Sequence, residues 1–256
     1  MANYYYSGQG SLLVASRSSA GAPLDFLPIG NVPELTIDIE TTLFEHKESE
    51  SGSRLIDLTI VKEKKGKFSF TLENLSIDNL ALGLWGTKAT VAGSTVADEV
   101  VTVTAVTGMD KKYALAHPDV SAVVVKDDDG SGGAGTTTYT VDEDYTVDPV
   151  NGTITPLTGG LIEAGDILHV AYTYGGYVQL DAFTSAASPE RWLRFEGLNT
   201  VDNSRVLIDI FKAQFDPLTG YGLLNEDLGS VEMKGTILAD ALRTSGSRFF
   251  RQRNFS

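Results

Sequence analysis

Residues 33–40 read Pro33-Glu34-Leu35-Thr36-Ile37-Asp38-Ile39-Glu40, and residues 67–73 read Lys67-Phe68-Ser69-Phe70-Thr71-Leu72-Glu73. In the first block Leu35, Ile37 and Ile39 alternate with Glu34, Thr36, Asp38 and Glu40. That period of two predicts a strand with one buried and one wet face. The second block repeats the pattern, with Phe68, Phe70 and Leu72 opposing Lys67, Ser69, Thr71 and Glu73. Between them, Thr41–Ser53 is too long and too charged for a hairpin turn and reads as a loop. A second strand is expected near Arg54–Lys62, then a basic turn, Lys62-Glu63-Lys64-Lys65-Gly66. After the third strand, Ser76 can cap a helix whose apolar stripe is Ile77, Leu80, Ala81 and Leu84, with Gly86 placed to end it. The unit is therefore a sheet with a polar, mostly acidic face and one short helix.

Composition sets the outer bounds. The chain has 256 residues, 42% of them hydrophobic, enough for one large or two small cored domains. It has no cysteine, which rules out disulfides and thiolate metal sites. His46, His117 and His169 are far apart in sequence and leave little for a metal site. No run of about 18 apolar residues and no basic-then-apolar leader is present, so neither a membrane span nor a secretory signal is expected. A formal charge of −14 argues against a protein that binds nucleic acid by neutralising phosphates.

The charge is unevenly spread. Residues 97–178 hold thirteen acids against three lysines, a net of −10, whereas the flanks together net −4. The same segment is rich in Val, Thr and Tyr in short runs: Glu99–Val106, Ala122–Lys126, Thr136–Val141, Thr153–Pro156 and Asp166–Tyr174. Asp/Gly turns such as Asp127-Asp128-Asp129-Gly130 and Asn151-Gly152 separate them. The division predicted is a host domain over residues 1–96 and 179–256, with an all-β sandwich inserted over 97–178. The host resumes with strands at Glu190–Gly197, Arg205–Phe215 and Ser230–Leu238. The first thirty residues carry Tyr4-Tyr5-Tyr6, and Pro23–Asn31 reads as an extended, proline-fixed approach to the first core strand. The basic, aromatic end Arg248-Phe249-Phe250-Arg251…Arg253…Phe255 has no evident core of its own. It is expected to be disordered or to dock on a neighbouring chain.

A search for chemistry returns little. There is no Gly-x-Ser-x-Gly elbow, no His-Glu-x-x-His and no phosphate loop; Gly8 and Gly10 lack the third glycine and the following helix. From Asp127, a calcium loop would need a bidentate Glu where Thr138 stands. Glu48 and Glu50 read as solvated acids, since nothing apolar covers them to shift a pKa. Asn151-Gly152-Thr153 reads as a turn. The insert shows no aromatic cluster suited to sugar recognition. No enzyme, cofactor or metal is expected.

The stretch LPIGNVPELTIDIETTLFEHKESESGSRLIDLTIVKEKKGKFSFTLENLSIDNLALGLWG resembles the major tail tube proteins of long-tailed bacteriophages, over about Phe26–Gly86 and again from about Val178 onward. The insert, above all Asp142–Gly152, resembles the immunoglobulin-like insertions of phage tail proteins. The resemblance implies a tail-tube fold, a barrel-forming β-sandwich with one short helix, plus an immunoglobulin-like decoration domain. It implies hexameric rings that stack into a tube in the virion, holding the tape-measure protein and passing DNA, with terminator and distal tail proteins at the ends. Under it, Glu34, Thr36, Asp38, Glu40, Ser69, Thr71 and Glu73 face the lumen. Alternation alone fits the outside of a sandwich equally well. Glu45, His46, Lys47, Glu48, Glu50 and Arg54 would contact the next ring, and Arg248, Phe249, Phe250, Arg251, Arg253 and Phe255 would form an inter-subunit arm. Two alternatives stand beside the tube: a cell-surface-binding β-sandwich module, and a distal or terminator ring protein of the same fold. A cell-envelope hydrolase would need a convergent site that the sequence lacks.

Overall fold

A computed structural model describes residues 5–104, 111–185, 188 and 190–255. Tyr4, the Ala105–Val106 end of one expected strand, and Ser256 lie outside the described residues. In chain order the first strands are β1 (Gly8–Arg17), β2 (Pro23–Pro28), β3 (Glu34–Lys47) and β4 (Ile56–Leu72), followed by helix α1 (Ile77–Gly83). Next come β5 (Thr87–Val91), β6 (Ser94–Thr102), β7 (Tyr113–Ala114), β8 (Val120–Asp128) and β9 (Ala134–Thr138). Then follow β10 (Tyr145–Asp148), β11 (Thr153–Pro156), β12 (Ile167–Tyr174) and β13 (Tyr177–Asp181). The last are β14 (Glu190–Asn199), β15 (Arg205–Phe215), β16 (Val231–Ile237) and β17 (Phe250–Phe255). Among the described residues the chain is mainly β, with one short helix and several antiparallel sheets. Two compact units result, Met1–Lys88 with Leu180–Ser256, and Ala89–Gln179.

The first unit is built on an eight-stranded antiparallel sheet of order β2-β1-β14-β15-β16-β4-β3, with β17 also paired to β15. Its core gathers Phe68, Phe70 and Leu72 of β4 with Leu193, Ile210, Phe215, Val231 and Met233. Phe68 meets Phe215 edge-on at 5.2 Å between ring centroids, the favoured geometry for aromatic pairs. Gly235 lies opposite Phe68, and a side chain there would strike the Phe68 ring and the Gln214 carbonyl.

Helix α1 starts where Ser76 predicts, its hydroxyl accepting from the Asn79 N–H at 3.4 Å. The Asn79 amide donates to the carbonyls of Ile29 and Asn74, both at 2.8 Å, tying the helix start to the chain ahead of β3. The end differs from expectation. The left-handed residue is Trp85, at φ 48°, rather than Gly86. Asn79, Leu80, Leu82 and Gly83 are the buried positions, and Gly83 lies against Leu218 and Met233.

Three further expectations are corrected. Only the second half of Thr41–Ser53 is a loop, for β3 continues to Lys47, paired with β4 down to Ile56 through two bulges, and the turn begins at Glu48. The two strands read over Arg54–Lys62 and Lys67–Glu73 are one strand, and the basic segment between them carries only a bulge at Lys62. Gly66 serves close packing rather than a turn: a Cβ there would sit 3.0 Å from Ile237. The C-terminal segment is not disordered and has a core of its own chain to pack on. β17 pairs with Arg205–Ile210 of its own chain, with Phe249 and Phe250 against the core and Arg248, Arg251 and Phe255 exposed. Arg253 donates to the buried carboxylate of Asp209 at 2.9 Å, which also accepts from Arg194 at 2.7 Å and from the Trp192 indole at 3.2 Å. A buried carboxylate is tolerated when its lone pairs are taken up in this way.

The second unit has a four-stranded sheet, β6-β12-β8-β9, and a three-stranded one, β10-β11-β7. Both feed one core, which includes Val101, Val125, Tyr145, Ile154, Leu168 and Val170. Its limits at Ala89 and Gln179 lie outside the charge shift at 97–178, because β6 starts at Ser94. On the central strand, His169 is buried and holds a carboxylate on each ring nitrogen: Asp98 at Nδ1, 2.8 Å, and Asp128 at Nε2, 3.1 Å. Lys126 is its cross-strand neighbour, and Asp129 senses its charge.

The Asp128 and Asp98 hydrogen bonds push the His169 pKa above its ordinary value. A raised folded-state pKa stabilises fully below the unfolded value near 6.5, and the gain is lost as pH rises through the folded value. Thermal melting of the full chain is therefore expected to weaken in the insert as pH rises from neutral to alkaline. His169→Gln is expected to remove that slope, and an unchanged slope in the variant contradicts the assignment.

Candidate functional site

The polar face foreseen on β3 and β4 exists, and the register shows its composition. Across the sheet Glu34 pairs with Thr71 and then Glu232, Thr36 with Ser69 and then Lys234, and Asp38 with Lys67 and then Thr236. Glu40 lies opposite Lys65. Glu34, Thr36, Asp38, Glu40 and Glu73 are exposed, and Ser69 and Thr71 half-buried. The face is mixed rather than uniformly acidic, since Lys65, Lys67 and Lys234 interleave with the acids. Lys67 bonds Glu40 at 2.9 Å and Lys234 bonds Glu232 at 2.9 Å. The Lys67 contact lowers the Glu40 pKa from its ordinary value. Alternation within single strands does not reveal this mixing, because Lys234 reaches the face only through the pairing of β16 with β4.

Beyond Gly66 the arrangement changes. β16 covers β4 only over Gly66–Leu72, so Ile56–Lys65 has β3 as its sole strand partner among the described residues. This two-stranded ribbon carries Leu43 opposite Val61, Phe44 opposite Ile60, and His46 opposite Leu58. Leu43, Phe44, Leu58, Ile60 and Val61 are all exposed, together with Ile39, Leu55 and Ile56 at its two ends. Lys62 sits over the Phe44 ring at 5.0 Å. A two-stranded ribbon alone is marginal in water, and its exposed apolar residues lie on both faces, Leu43 and Val61 on one and Phe44, Leu58 and Ile60 on the other; exposed apolar surface marks a site of association. β2 and β3 also stand at the two ends of the sheet order, each with one open edge among the described residues.

The tip of the ribbon is ordered by one carboxylate. Glu48 accepts the N–H groups of Glu50 and Ser51 at 2.8 Å and of Leu55 at 3.2 Å, as well as the Ser51 hydroxyl. These donors, the Ser51 hydroxyl first, pull its pKa down to about 2. Glu48 is thus the organiser of the turn rather than a solvated acid, while Glu50 is exposed. Glu45 and Lys47 lie in β3, His46 bonds Asp57 at 2.5 Å, and Arg54 closes the turn in the left-handed region at φ 49°.

In the second unit, Tyr172, Tyr174 and Tyr177 gather around His117, which stacks on Tyr174 at 3.7 Å and shares a 3.0 Å hydrogen bond with the Tyr177 hydroxyl. No local pattern announces this cluster, since His117 is 57 residues from Tyr174 in the chain. Among the described residues no group of three or more His, Cys, Asp or Glu is placed to hold a metal ion. None of their helices is long and apolar enough to cross a membrane.

A family profile matches residues 5–253. The chain belongs to that family, described as Protein of unknown function UCP028589. No curated protein matches the chain.

A depressed carboxylate pKa contributes order above the ordinary value near 4.5, which is lost as pH falls towards 2. Amide exchange at Glu50, Ser51 and Leu55 is expected to be slow at neutral pH and to lose that protection across this window. Glu48→Ala is expected to speed exchange at these three amides several-fold at neutral pH, with the global melt unchanged. Unaltered tip exchange contradicts the role given to Glu48.

Proposed function

We propose that the chain is a structural virion protein, a subunit that self-assembles into hexameric rings stacked as a phage tail tube. The single observation behind this reading is the β3–β4 ribbon, an apolar two-stranded extension that its own sheet leaves uncovered. Copies of the chain supply the missing cover, and closing a ring pairs sheet edges that would otherwise template aggregation. The resemblance of Phe26–Gly86 to tail tube proteins supplies the hexamer, the lumen and the partners: tape-measure protein, terminator and distal tail proteins, and DNA in transit.

In this reading Glu34, Thr36, Asp38, Glu40, Ser69, Thr71 and Glu73 line the lumen. Lysines engaged by neighbouring carboxylates leave little free positive charge to hold phosphates, so DNA slides past. Glu45, His46, Lys47, Glu48, Glu50 and Arg54, on the ribbon and its tip, meet the adjacent ring. The exposed side of β17, with Arg248, Arg251 and Phe255, remains open to a neighbour while its other side is spent on β15. The insert is an immunoglobulin-like decoration on the outside, where its −10 net charge keeps particles apart.

Negative-stain electron microscopy over a concentration series is expected to show hollow tubes or six-fold rings. Phe44→Ser combined with Ile60→Ser is expected to abolish them while shifting stability by no more than about 0.5 kcal/mol, as surface substitutions do. A strictly monomeric wild-type chain at every concentration, or normal tubes from the double variant, contradicts the reading.

A further inference from the structure

The loop between β15 and β16 is an anomaly of the first unit. Leu223, Leu224 and Leu228 are 76%, 96% and 89% exposed, an unusual state for three leucines within six residues. Glu226 and Asp227, between them, have no ion-pair partner among the described residues. The root of the loop is fixed: the Leu218 side chain lies against Gly83, and its N–H donates to the Gly83 carbonyl at 2.8 Å. The loop is therefore held out on an anchored base with nothing apolar over it.

The same unit holds a groove of about 650 Å³ between the edge strand β2 and α1. Val14, Leu24, Leu27, Ile29 and Leu82 give it apolar walls, and none of residues 216–230 lines it. Arg191 also lines it, half-buried, with the Glu190 carbonyl at 3.1 Å and no carboxylate partner among the described residues. Burial lowers its pKa from the ordinary guanidinium value, the mark of a cation that has lost water without gaining an anion. Of the acids at the groove, Asp78 is held by Lys88 at 2.8 Å and Asp25 is exposed.

We propose that this groove receives the Leu223–Leu228 loop of a second copy of the chain, with its leucines against the apolar walls and its Glu226–Asp227 pair facing Arg191. Each surface supplies what the other lacks: exposed leucines for an unfilled apolar groove, and free carboxylates for an unpaired, partly desolvated guanidinium. Loop and groove are different patches, so the contact is head-to-tail, and repetition of such a contact closes a ring or extends a filament. The inference rests on the self-assembly reading and deepens it by naming the two surfaces that meet.

The test is a photo-crosslinking residue at position 224 of the full chain, at concentrations where it assembles, with crosslinked peptides mapped by mass spectrometry. Crosslinks between chains to residues 24–29 are expected. Leu223→Ser, Leu224→Ser and Leu228→Ser together are expected to raise the concentration for assembly about tenfold or more. Arg191→Glu is expected to weaken assembly, and Glu226→Arg with Asp227→Arg in the same chain to restore it; that rescue separates a lost contact from a lost fold. Crosslinks only within a chain or to other surfaces, or assembly of the triple-serine protein at the wild-type concentration, overturn the proposal. Tubes from the triple-serine protein at the wild-type concentration would do so while leaving the tube reading intact. Loop-to-groove crosslinks in oligomers that never form rings would uphold the contact and remove the tube.

Discussion

The first unit turns on a mismatch of strand lengths. β4 is 17 residues long and β16, which flanks it, is 7, so the sheet stops while the β3–β4 pair continues. Where both neighbours are present, β4 buries Phe68, Phe70 and Leu72 and the alternation is clean. Where β16 ends, the same strand is exposed on both faces yet keeps Leu58, Ile60 and Val61. Each fully buried side chain of this size contributes about 1.5–3 kcal/mol, and the isolated chain forgoes that contribution along the ribbon. A sequence retaining such residues in an exposed ribbon fits a subunit completed by other copies.

The remaining contacts of the unit fix the frame from which the ribbon extends. Asp209 gathers Trp192, Arg194 and Arg253, joining β14, β15 and β17. Arg17 of β1 binds the buried Asp240 at 2.8 Å, and Arg243 stacks on Phe211 at 3.6 Å, so the chain between β16 and β17 is tied down as well. Removing one partner from a buried ion pair costs more than the pair contributes, because the other charge is left unsolvated. The frame is therefore rigid where the ribbon and the 216–230 loop are bare.

How much of this could be read beforehand depended on burial. Strand alternation was legible at Glu34–Asp38 and Phe68–Leu72, where Leu35, Ile37 and the Phe68–Leu72 face meet a core, and Ser76 announced the helix through its capping chemistry; Ile39, read on the same face, is exposed beyond the core's edge. Alternation failed over Thr41–Lys47 because a ribbon with two wet faces carries no period-two signal, and Glu45 and Lys47 look like a loop. Gly66 misled for a related reason: glycine marks turns and also close approaches, and the approach to Ile237 is visible only in three dimensions. Arg253 with Asp209, and His169 between Asp98 and Asp128, are pairings across 44, 71 and 41 positions that no local pattern encodes.

The most direct measurement is hydrogen exchange of the β3 and β4 amides at residues 41–47 and 56–65, compared between dilute and concentrated protein. A ribbon completed by other copies gains protection there on concentration, while amides of β14 and β15 in the sheet interior stay as they were. Particles that assemble with these ribbon amides still exchanging at the dilute rate would contradict the claim that the ribbon is what self-association covers.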